Sequence, residues 1–336
     1  MDVQRFEAAA DPAAVRALHE IYRAGAPVDE PGGPPMSAAV FSGLLVRGWC
    51  AEPRDNWLAR DGGTVLGGYS LELPDRENRD RAALMLLVAP ERRRSGAGSA
   101  LLRHALARAD ELGRGTVTSE VLDGTPGDAF ARAMGARADL VENRRTLDLT
   151  AIPDGQLARL RAAALAHADG YTLTSWDGPT PDQWREPVAR MNEAMADAPR
   201  GAGEQPQVWT ADRVAEADRL SLEKGLRRYS LAAVAATGEL AALTQLSVEE
   251  AEPAWGHQEM TAVARAHRGH RLGLLTKVAM LEWMADREPR LEYVETWNGE
   301  DNAHMVAINV ALGFAKPHRV TAWLLPTRVP AASGPR

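Results

Sequence analysis

A strand, a glycine-containing turn and a helix follow one another at residues 83–112, and this succession constrains the fold more than any other stretch. The apolar run from Ala83 to Val88 is typical of a buried strand, and the amphipathic run from Ser99 to Leu112 is typical of a helix. Arginines and the glycines Gly96 and Gly98 lie between them. A helix start offers unpaired N–H groups and the positive end of the helix dipole, and glycines let a phosphate approach. The stretch predicts a phosphate-binding loop, without specifying the ligand.

The same pattern returns in the second half of the chain, where an apolar strand again leads through an Arg/Gly turn into a helix. The matched positions are Val88 and Val263, Arg93 and Arg268, Gly98 and Gly273, and Gly135 and Gly313. The first three pairs are 175 positions apart and the last is 178 apart. Chance matching of two turns is the alternative, but a hairpin signal also precedes both turns. The spacing favours an internal duplication of one domain.

Length and charge narrow the class of protein. A chain of 336 residues exceeds one usual hydrophobic core, which predicts two domains. The net charge of −7 disfavours a nucleic-acid partner. A single cysteine, Cys50, excludes an internal disulfide and fits a reducing compartment. Neither a membrane helix nor a signal peptide is evident, so we expect a cytoplasmic protein with no membrane partner.

The two turns carry a recognisable motif. Val88-x4-Arg93-x2-Gly96-x-Gly98 resembles the Arg/Gln-x-x-Gly-x-Gly/Ala motif of the GNAT superfamily of N-acetyltransferases, and residues 267–273 resemble a variant of it. The resemblance covers nearly the whole chain as two tandem copies. It implies an α/β (α+β) fold with two GNAT-like domains, each a mixed, mostly antiparallel central sheet flanked by helices. The expected boundaries are 1–150 and 170–326, with a helical linker at 151–169 and a flexible tail at 327–336.

The resemblance also implies a cofactor site in each half. Acetyl-CoA is the expected co-substrate: its pyrophosphate would lie on the turn and its pantetheine arm between two splayed strands. A backbone N–H near Val88 or Val263 would polarise the thioester carbonyl. The residues expected to bind the cofactor are Val88, Arg93, Arg94, Ser95, Gly96, Ala97, Gly98, Ser99, Val263, Arg268, Gly269, His270, Arg271, Leu272, Gly273, Asn298 and Asn302. No metal is expected, because His267 and His270 have no further ligand nearby.

The two halves depart from the family pattern in different ways. The position where the family often has a proton-donating tyrosine is Ala131 in the first half and Asn309 in the second. Arg271 replaces the first glycine of the second turn, which is compatible with binding only if the turn needs no positive φ there. The carboxylates Glu259 and Glu295 lie on the strands where a general base belongs.

We therefore expect the second half to carry the chemistry, with Glu259, Glu295 and Asn309 as its catalytic candidates. Asn302 is equally well explained as a helix N-cap, and the two glutamates as solvated strand residues. Trp297, at the end of a strand, is a candidate wall of an acceptor pocket. The region 181–224 would supply the rest of that pocket, and its acidic residues Asp197, Glu204, Asp212 and Glu216 would attract a cationic amine.

The function expected is acetyl-CoA-dependent N-acetylation of a small-molecule amine, which attacks directly in a ternary complex. Two alternatives stay open. One keeps the fold but uses a different acyl donor, and the other is a non-catalytic tandem domain that binds acyl-CoA. The intact turn favours CoA, and the absence of both tyrosines keeps the non-catalytic alternative in play. A homodimer also stays open.

Overall fold

The computed structural model describes residues 1–48, 51–194, 200–315 and 317–328, and the chain forms two compact units. Unit 1 comprises Met1–Val141, Gly201–Gln205 and the segment that begins at Val320. Unit 2 comprises Glu142–Arg200 and Pro206–Arg319. Each unit contains a mixed, mostly antiparallel sheet flanked by helices, which confirms the predicted fold class.

The described residues of unit 1 form a sheet of six strands and four α-helices. Its elements are β1 (Asp2–Phe6), α1 (Pro12–Asp29), α2 (Ala38–Arg47), β2 (Arg54–Asp61), β3 (Thr64–Glu72), β4 (Arg81–Val88), α3 (Ala97–Glu111), β5 (Thr116–Leu122), α4 (Pro126–Ala133) and the late strand β12 (His318–Pro326). The strand order is β1-β2-β3-β4-β5-β12, in which only the β4–β5 pair is parallel.

Local sequence explains most of these element ends. Asp11 accepts a hydrogen bond from Ala14 N at 2.9 Å and so caps α1, and Ser37 caps α2 in the same way. Glycines and prolines at residues 27–35 favour a loop, but the loop begins late because α1 continues through Pro27 to Asp29. This extra turn places the Asp29 carboxylate beside the loop that follows β4.

Unit 2 repeats this architecture. Its elements are β6 (Arg137–Asp148), α5 (Gln156–Leu165), β7 (Tyr171–Asp177), α6 (Asp182–Ala194), α7 (Ala211–Glu223), β8 (Leu226–Ala235), β9 (Leu240–Glu249), β10 (Trp255–Val263), α8 (Leu272–Arg287), β11 (Tyr293–Gly299) and α9 (Ala303–Leu312). The strand order is β6-β11-β10-β9-β8-β7, and only β10 and β11 are parallel. The predicted linker helix, now α5, packs against α8 within this unit.

Each sheet closes on a strand from the other half of the sequence. The sequence of residues 144–149 favours a strand that closes the first half, but the strand found there, β6, begins earlier and pairs with β11 from Tyr293↔Asp148 to Gly299↔Glu142. The last strand, β12, pairs with β5 in unit 1. A strand's own alternation of residues does not identify its partner, so this exchange was not anticipated.

The unit 2 sheet has apolar clusters on both faces. Leu231, Leu246 and Val248 pack under α8, whereas Ala232 and Leu243 pack against α6 and α7. Alternation along the strands produces this division. Thr327 and Arg328, which begin the predicted tail, are bonded to Gly115 and Asp110 in unit 1, and residues 329–336 lie outside the described part. Among the described residues, no helix has the length and apolar character needed to span a membrane.

Candidate active site

The two Arg/Gly loops have the same backbone shape with their residue types exchanged. In unit 1, Arg94 and Gly96 have φ values of 62° and 89°, in the left-handed region. In unit 2, the matching positions are Gly269 and Arg271, with φ values of 91° and 54°. Each loop therefore places one glycine and one arginine at its two left-handed positions. From the sequence, we expect Arg271 to be compatible with binding only if the turn needs no positive φ at that position. The turn does place Arg271 at a positive φ, so this condition is not met.

Both loops lead into helices whose first turns carry no side-chain cap. Gly96 is the N-cap of α3 and Arg271 is the N-cap of α8, and neither side chain accepts a hydrogen bond from the helix. The N–H groups at these helix starts are therefore available to an anion. A Cβ at Gly96 or Gly269 would meet no atom within 4 Å, so these glycines serve backbone conformation rather than close packing.

Gly98 and Gly273 serve packing instead. A Cβ at Gly98 would lie 3.6 Å from Val88 Cγ2, and a Cβ at Gly273 would lie 3.6 Å from Val263 Cγ2. Each glycine therefore brings the start of its helix against the end of the preceding strand. Val88 and Val263 are the last residues of β4 and β10, at the points where the two chains turn into the loops.

The side chains of the loop residues have diverse partners. Arg93 makes two hydrogen bonds to Asp29, at 2.9 and 2.5 Å, and is therefore held by the protein rather than free to meet a phosphate. Ser95 donates to Arg92 O, and His270 Nδ1 lies 3.1 Å from His167 O. The other predicted residues divide by exposure: Arg94, Arg268 and Arg271 are exposed, Ser99 is half-buried, and Ala97 and Leu272 are buried. The buried pair offers only backbone atoms to a ligand.

The parallel strands beside each loop pair over a short stretch and then separate. In unit 2 the β10–β11 pairs run from Trp255↔Tyr293 to Gln258↔Thr296, although β10 continues to Val263. In unit 1 the β4–β5 pairs likewise stop at Ala83↔Thr118. Unpaired backbone groups therefore line an opening between the strands in each unit.

Unit 2 has one additional residue at its opening. In unit 1, five residues of β3 pair with the five residues 84–88 of β4. In unit 2, the five residues 242–246 of β9 face the six residues 258–263 of β10, and the register shifts between Gln258 and Thr261. Matching Met85 to Met260 leaves Glu259 as the inserted residue of a β-bulge, a device that re-aims a side chain at functional sites.

Glu259 is thus the first residue beyond the last β10–β11 pair. Its side chain is exposed and accepts a hydrogen bond of 2.6 Å from the Ser247 hydroxyl. A charged neighbour, His257, lies two residues earlier on the same strand. A carboxylate is therefore held at the mouth of the opening while its other oxygen atom stays available.

His257 connects the strands on either side. Its Nδ1 lies 2.9 Å from Glu295 Oε1, and its Nε2 lies 3.8 Å from Glu249 Oε1. Burial opposes the charged imidazolium, but the flanking carboxylates raise the pKa of His257 to about 10. Burial likewise disfavours the Glu295 carboxylate, but the hydrogen bond and charge of His257 lower the pKa of Glu295. Glu295, predicted as a base, is therefore one half of an ion pair.

Asn309 lies in the interior rather than in the opening. Its side chain is fully buried, accepts a hydrogen bond of 2.7 Å from Lys277 Nζ and donates one of 2.6 Å to Asn298 Oδ1. Asn302 Oδ1 accepts from Met305 N at 3.2 Å and so caps α9, as the alternative interpretation of that residue expected. Asn298 and Asn309 are brought together, whereas Asn302 serves the helix start.

The corresponding positions of unit 1 are mostly apolar or lack a charge. His257 and Glu295 match Ala83 and Thr118, by the pairing of the strands, and Glu259 has no counterpart. Ala131, at the position matching Asn309, is buried. At these matched positions the charged side chains therefore belong to unit 2, although β5 of unit 1 carries the exposed Glu120 beyond its last pair with β4.

The acidic residues predicted to attract the acceptor do not form one group. Glu204 belongs to unit 1, where its carboxylate accepts from Gly201 N at 3.0 Å, and its part in an acceptor pocket stays a prediction. Asp212 is exposed in the first turn of α7 and Glu216 is half-buried on the same helix, while Asp197 lies outside the described residues. Trp297 is 38% exposed near the end of β11.

Sequence reasoning missed His257, Glu249 and Lys277. The offset between the halves changes from 174 before the bulge, from Arg81 to Trp255, to 175 after it, which marks an inserted residue in β10 but does not point to His257. The residues around Lys277 did not indicate that it is buried, because in the sequence it resembles any other polar residue of a helix. Among the described residues, no group of three His, Cys, Asp or Glu side chains is arranged to hold a metal.

The helix-start loops and the parallel strands that separate beside them form the α/β arrangement that the family resemblance implies for an acyl-transferring enzyme. A family model described as "Acetyltransferase (GNAT) family" matches residues 16–136. The mycothiol acetyltransferase of Tsukamurella paurometabola is 30% identical over 247 residues, which span 72% of this chain and 77% of that protein. The chain belongs to the GNAT family and is an N-acetyltransferase.

Solved structures agree with this assignment. A tandem GNAT protein from the clavulanic acid biosynthesis pathway is 32% identical, with a TM-score of 0.81 over 98% of this chain and 99% of that one. A GCN5-related N-acetyltransferase from Sphaerobacter thermophilus has a TM-score of 0.64 over 98% of this chain and 96% of that one, at 16% identity. The second likeness concerns the fold alone. The tandem arrangement predicted from the repeated turns is confirmed.

Proposed function

We propose that unit 2 transfers the acetyl group of acetyl-CoA to the amine of a small molecule, by direct attack in a ternary complex. The observation that carries the proposal is the inserted Glu259, a carboxylate directly beyond the last β10–β11 pair that has no counterpart on β4 of unit 1. No enzyme nucleophile is needed for direct attack, because the amine itself bonds to the acetyl carbon.

The residues present suit a CoA thioester. The uncapped start of α8, with its N–H groups, suits the pyrophosphate, and the opening between β10 and β11 suits the pantetheine arm. Acetyl-CoA would supply the acetyl group as an activated thioester. A backbone N–H at the end of β10, near Val263, would stabilise negative charge on the carbonyl oxygen.

We assign the general base to Glu259 rather than Glu295. Glu295 is already paired with His257, so removal of a proton by that carboxylate would disrupt the ion pair. Glu259 is exposed and keeps an oxygen atom available. As the amine nitrogen bonds to the acetyl carbon, its proton passes to Glu259 and the carbon–sulfur bond breaks. The leaving thiolate takes a proton from solvent, because Asn309 is buried and has no acidic proton.

The charge around the mouth favours a cationic acceptor. The carboxylates Glu249, Glu259 and Glu295 outnumber the cations His257 and Arg144 that act on them, which leaves a negative balance that attracts an ammonium group. The two named relatives belong to different small-molecule chemistries, mycothiol and clavulanic acid. We therefore infer a small polar amine and assign unit 1 a role in cofactor binding or structure.

A thiol-release assay with acetyl-CoA and a panel of small amines tests the proposal, and the panel should include the substrate of mycothiol acetyltransferases. We expect turnover of acetyl-CoA with at least one amine. Longer acyl-CoAs should react more slowly with the same amine. Faster turnover with a longer acyl-CoA would identify that acyl-CoA, rather than acetyl-CoA, as the donor. CoA binding without turnover on any amine would favour the non-catalytic alternative.

A further inference from the structure

Three polar side chains lie in a line from the interior of unit 2 to the end of β11. Lys277 on α8 donates to Asn309 on α9, and Asn309 donates to Asn298 on β11, at 2.7 and 2.6 Å. Lys277 is 2% exposed and Asn309 is 0% exposed, whereas Asn298 is half-buried. Among the described residues, Asn309 is the only hydrogen-bond acceptor for Lys277 Nζ, and the Phe314 ring lies 5.2 Å from it.

The fold does not require this line. The positions matching Lys277, Asn309 and Asn298 in unit 1 are Leu102, Ala131 and Val121, by the offsets of α8, α9 and β11. Leu102 and Ala131 are buried, so the same architecture packs there with apolar side chains. A buried ammonium is costly, and burial lowers the pKa of Lys277 to about 7. Unit 2 therefore has a buried ammonium group at the position where unit 1 has the apolar side chain of Leu102.

The chemistry of the three groups gives the line a direction. An ammonium has only donors, so the Asn309 oxygen must face Lys277. The Asn309 NH2 group then faces Asn298, whose oxygen must accept. This leaves the Asn298 NH2 group, which has no partner among the described residues, as a donor beside the opening. A neutral Lys277 amine can still donate to Asn309, so the direction survives its titration.

We propose that Lys277 is a positioning residue that acts through Asn309 to fix the Asn298 amide, so that Asn298 donates a hydrogen bond to a carbonyl oxygen of the bound acyl-CoA. The inference rests on the proposed function, since it assumes that the CoA arm lies between β10 and β11. Lys277 itself touches no substrate. Its effect is to remove the alternative orientation of Asn298, in which an oxygen would face the ligand carbonyl and repel it.

Asn309→Asp separates this role from simple packing. The aspartate still accepts from Lys277, with the added attraction of opposite charges, but it cannot donate to Asn298. Asn298→Ala removes the final donor, and the double variant tests whether the two act in series. Gln156→Glu is a matched amide-to-carboxylate control, because Gln156 contacts the other end of α9 through Ala311 O at 3.0 Å. All variants are made with Gly98→Glu, which blocks the unit 1 loop.

The first readout is the Kd for CoA by calorimetry. Loss of one hydrogen bond predicts an increase in Kd of about 3- to 10-fold for Asn309→Asp and for Asn298→Ala. The double variant should be no weaker than the weaker single variant, and Gln156→Glu should match the parent. Unchanged Kd for Asn309→Asp in a folded protein, or multiplied effects in the double variant, would overturn the proposal.

The second readout needs no ligand. The side-chain NH2 resonances of Asn298 in a 15N NMR spectrum should shift or broaden in Asn309→Asp and in Lys277→Met, because the amide loses its fixed orientation. Resonances identical to those of the parent would overturn the proposal that Lys277 orients Asn298 through Asn309. If the parent itself does not bind CoA while these resonances change as expected, the proposed function fails, but the orientation of Asn298 by Lys277 and Asn309 stands.

Discussion

Deletion of Glu259 is expected to abolish turnover while leaving unit 2 folded. Unit 1 shows how the strand pairs without the extra residue: residues 84–88 pair one to one with β3. Gln258 and Thr261 therefore keep their partners Leu246 and Thr244 after the deletion, and Met260 spans the gap as Met85 does. The main loss to stability is the hydrogen bond from Ser247, about 0.5–1.5 kcal/mol.

Glu259→Gln keeps the bulge and removes only the base. General-base catalysis contributes about 10²- to 10⁴-fold, so kcat should fall by that factor, equivalent to about 2.7–5.4 kcal/mol. Thiol release measures kcat, calorimetry measures the Kd for CoA, and denaturant unfolding measures stability. Exposed Glu292 provides a matched control as Glu292→Gln, which should behave like wild type.

Two outcomes would refute this reasoning. A Glu259→Gln variant within a few-fold of the wild-type kcat would exclude Glu259 as the base. A deletion that unfolds unit 2 would mean that the strand slips by one residue. Such a slip turns side chains such as Ala262 and Val263 to the opposite face, which exposes apolar surface at about 25 cal/mol per Å².

The remaining predictions concern stability. Arg94→Gly and Arg271→Gly should each raise the free energy of unfolding by about 0.5–1 kcal/mol, because glycine relieves the left-handed strain at some cost in chain entropy, and a loss of stability in denaturant unfolding would contradict this. The pKa of His257 is raised to about 10 in the folded protein, so the stabilisation from Glu249 and Glu295 is complete below pH 6.5 and lost as the pH rises to 10. Wild type should therefore lose stability relative to His257→Gln over that range, and parallel pH profiles would be evidence against the ion pairs.

Local sequence patterns determined much of the fold. The predicted apolar run Ala83–Val88 forms most of β4, Arg81–Val88, and the alternating run Thr116–Leu122, which lies between a glycine and Asp123, forms β5. Ser37, a residue type that favours helix N-caps, directly precedes α2, and the repeated Arg/Gly turns predict the tandem architecture. These features depend on neighbours in sequence, which a pattern can record.

The features that were missed depend on contacts between distant residues. The exchange of β6 and β12 follows from which strand edges meet, and neither strand carries that information. His257 and Glu295 lie 38 residues apart and meet only because β10 and β11 pair in one register. The buried position of Lys277 likewise depends on α9 lying over α8. Glu259 was singled out for its residue type, but its status as an inserted residue required the pairing of both sheets.

The most direct test of the account compares the two loops in a single assay. Gly273→Glu and Gly98→Glu place the same side chain at matched helix starts, where each carboxylate would repel a pyrophosphate. Arg271→Glu and Arg94→Glu, at exposed positions, provide a second pair should either glycine variant fold poorly. With acetyl-CoA and an accepted amine, thiol release should be lost in the unit 2 variants and kept in the unit 1 variants. Loss of turnover in the unit 1 variants, with turnover kept in the unit 2 variants, would contradict the assignment of catalysis to unit 2.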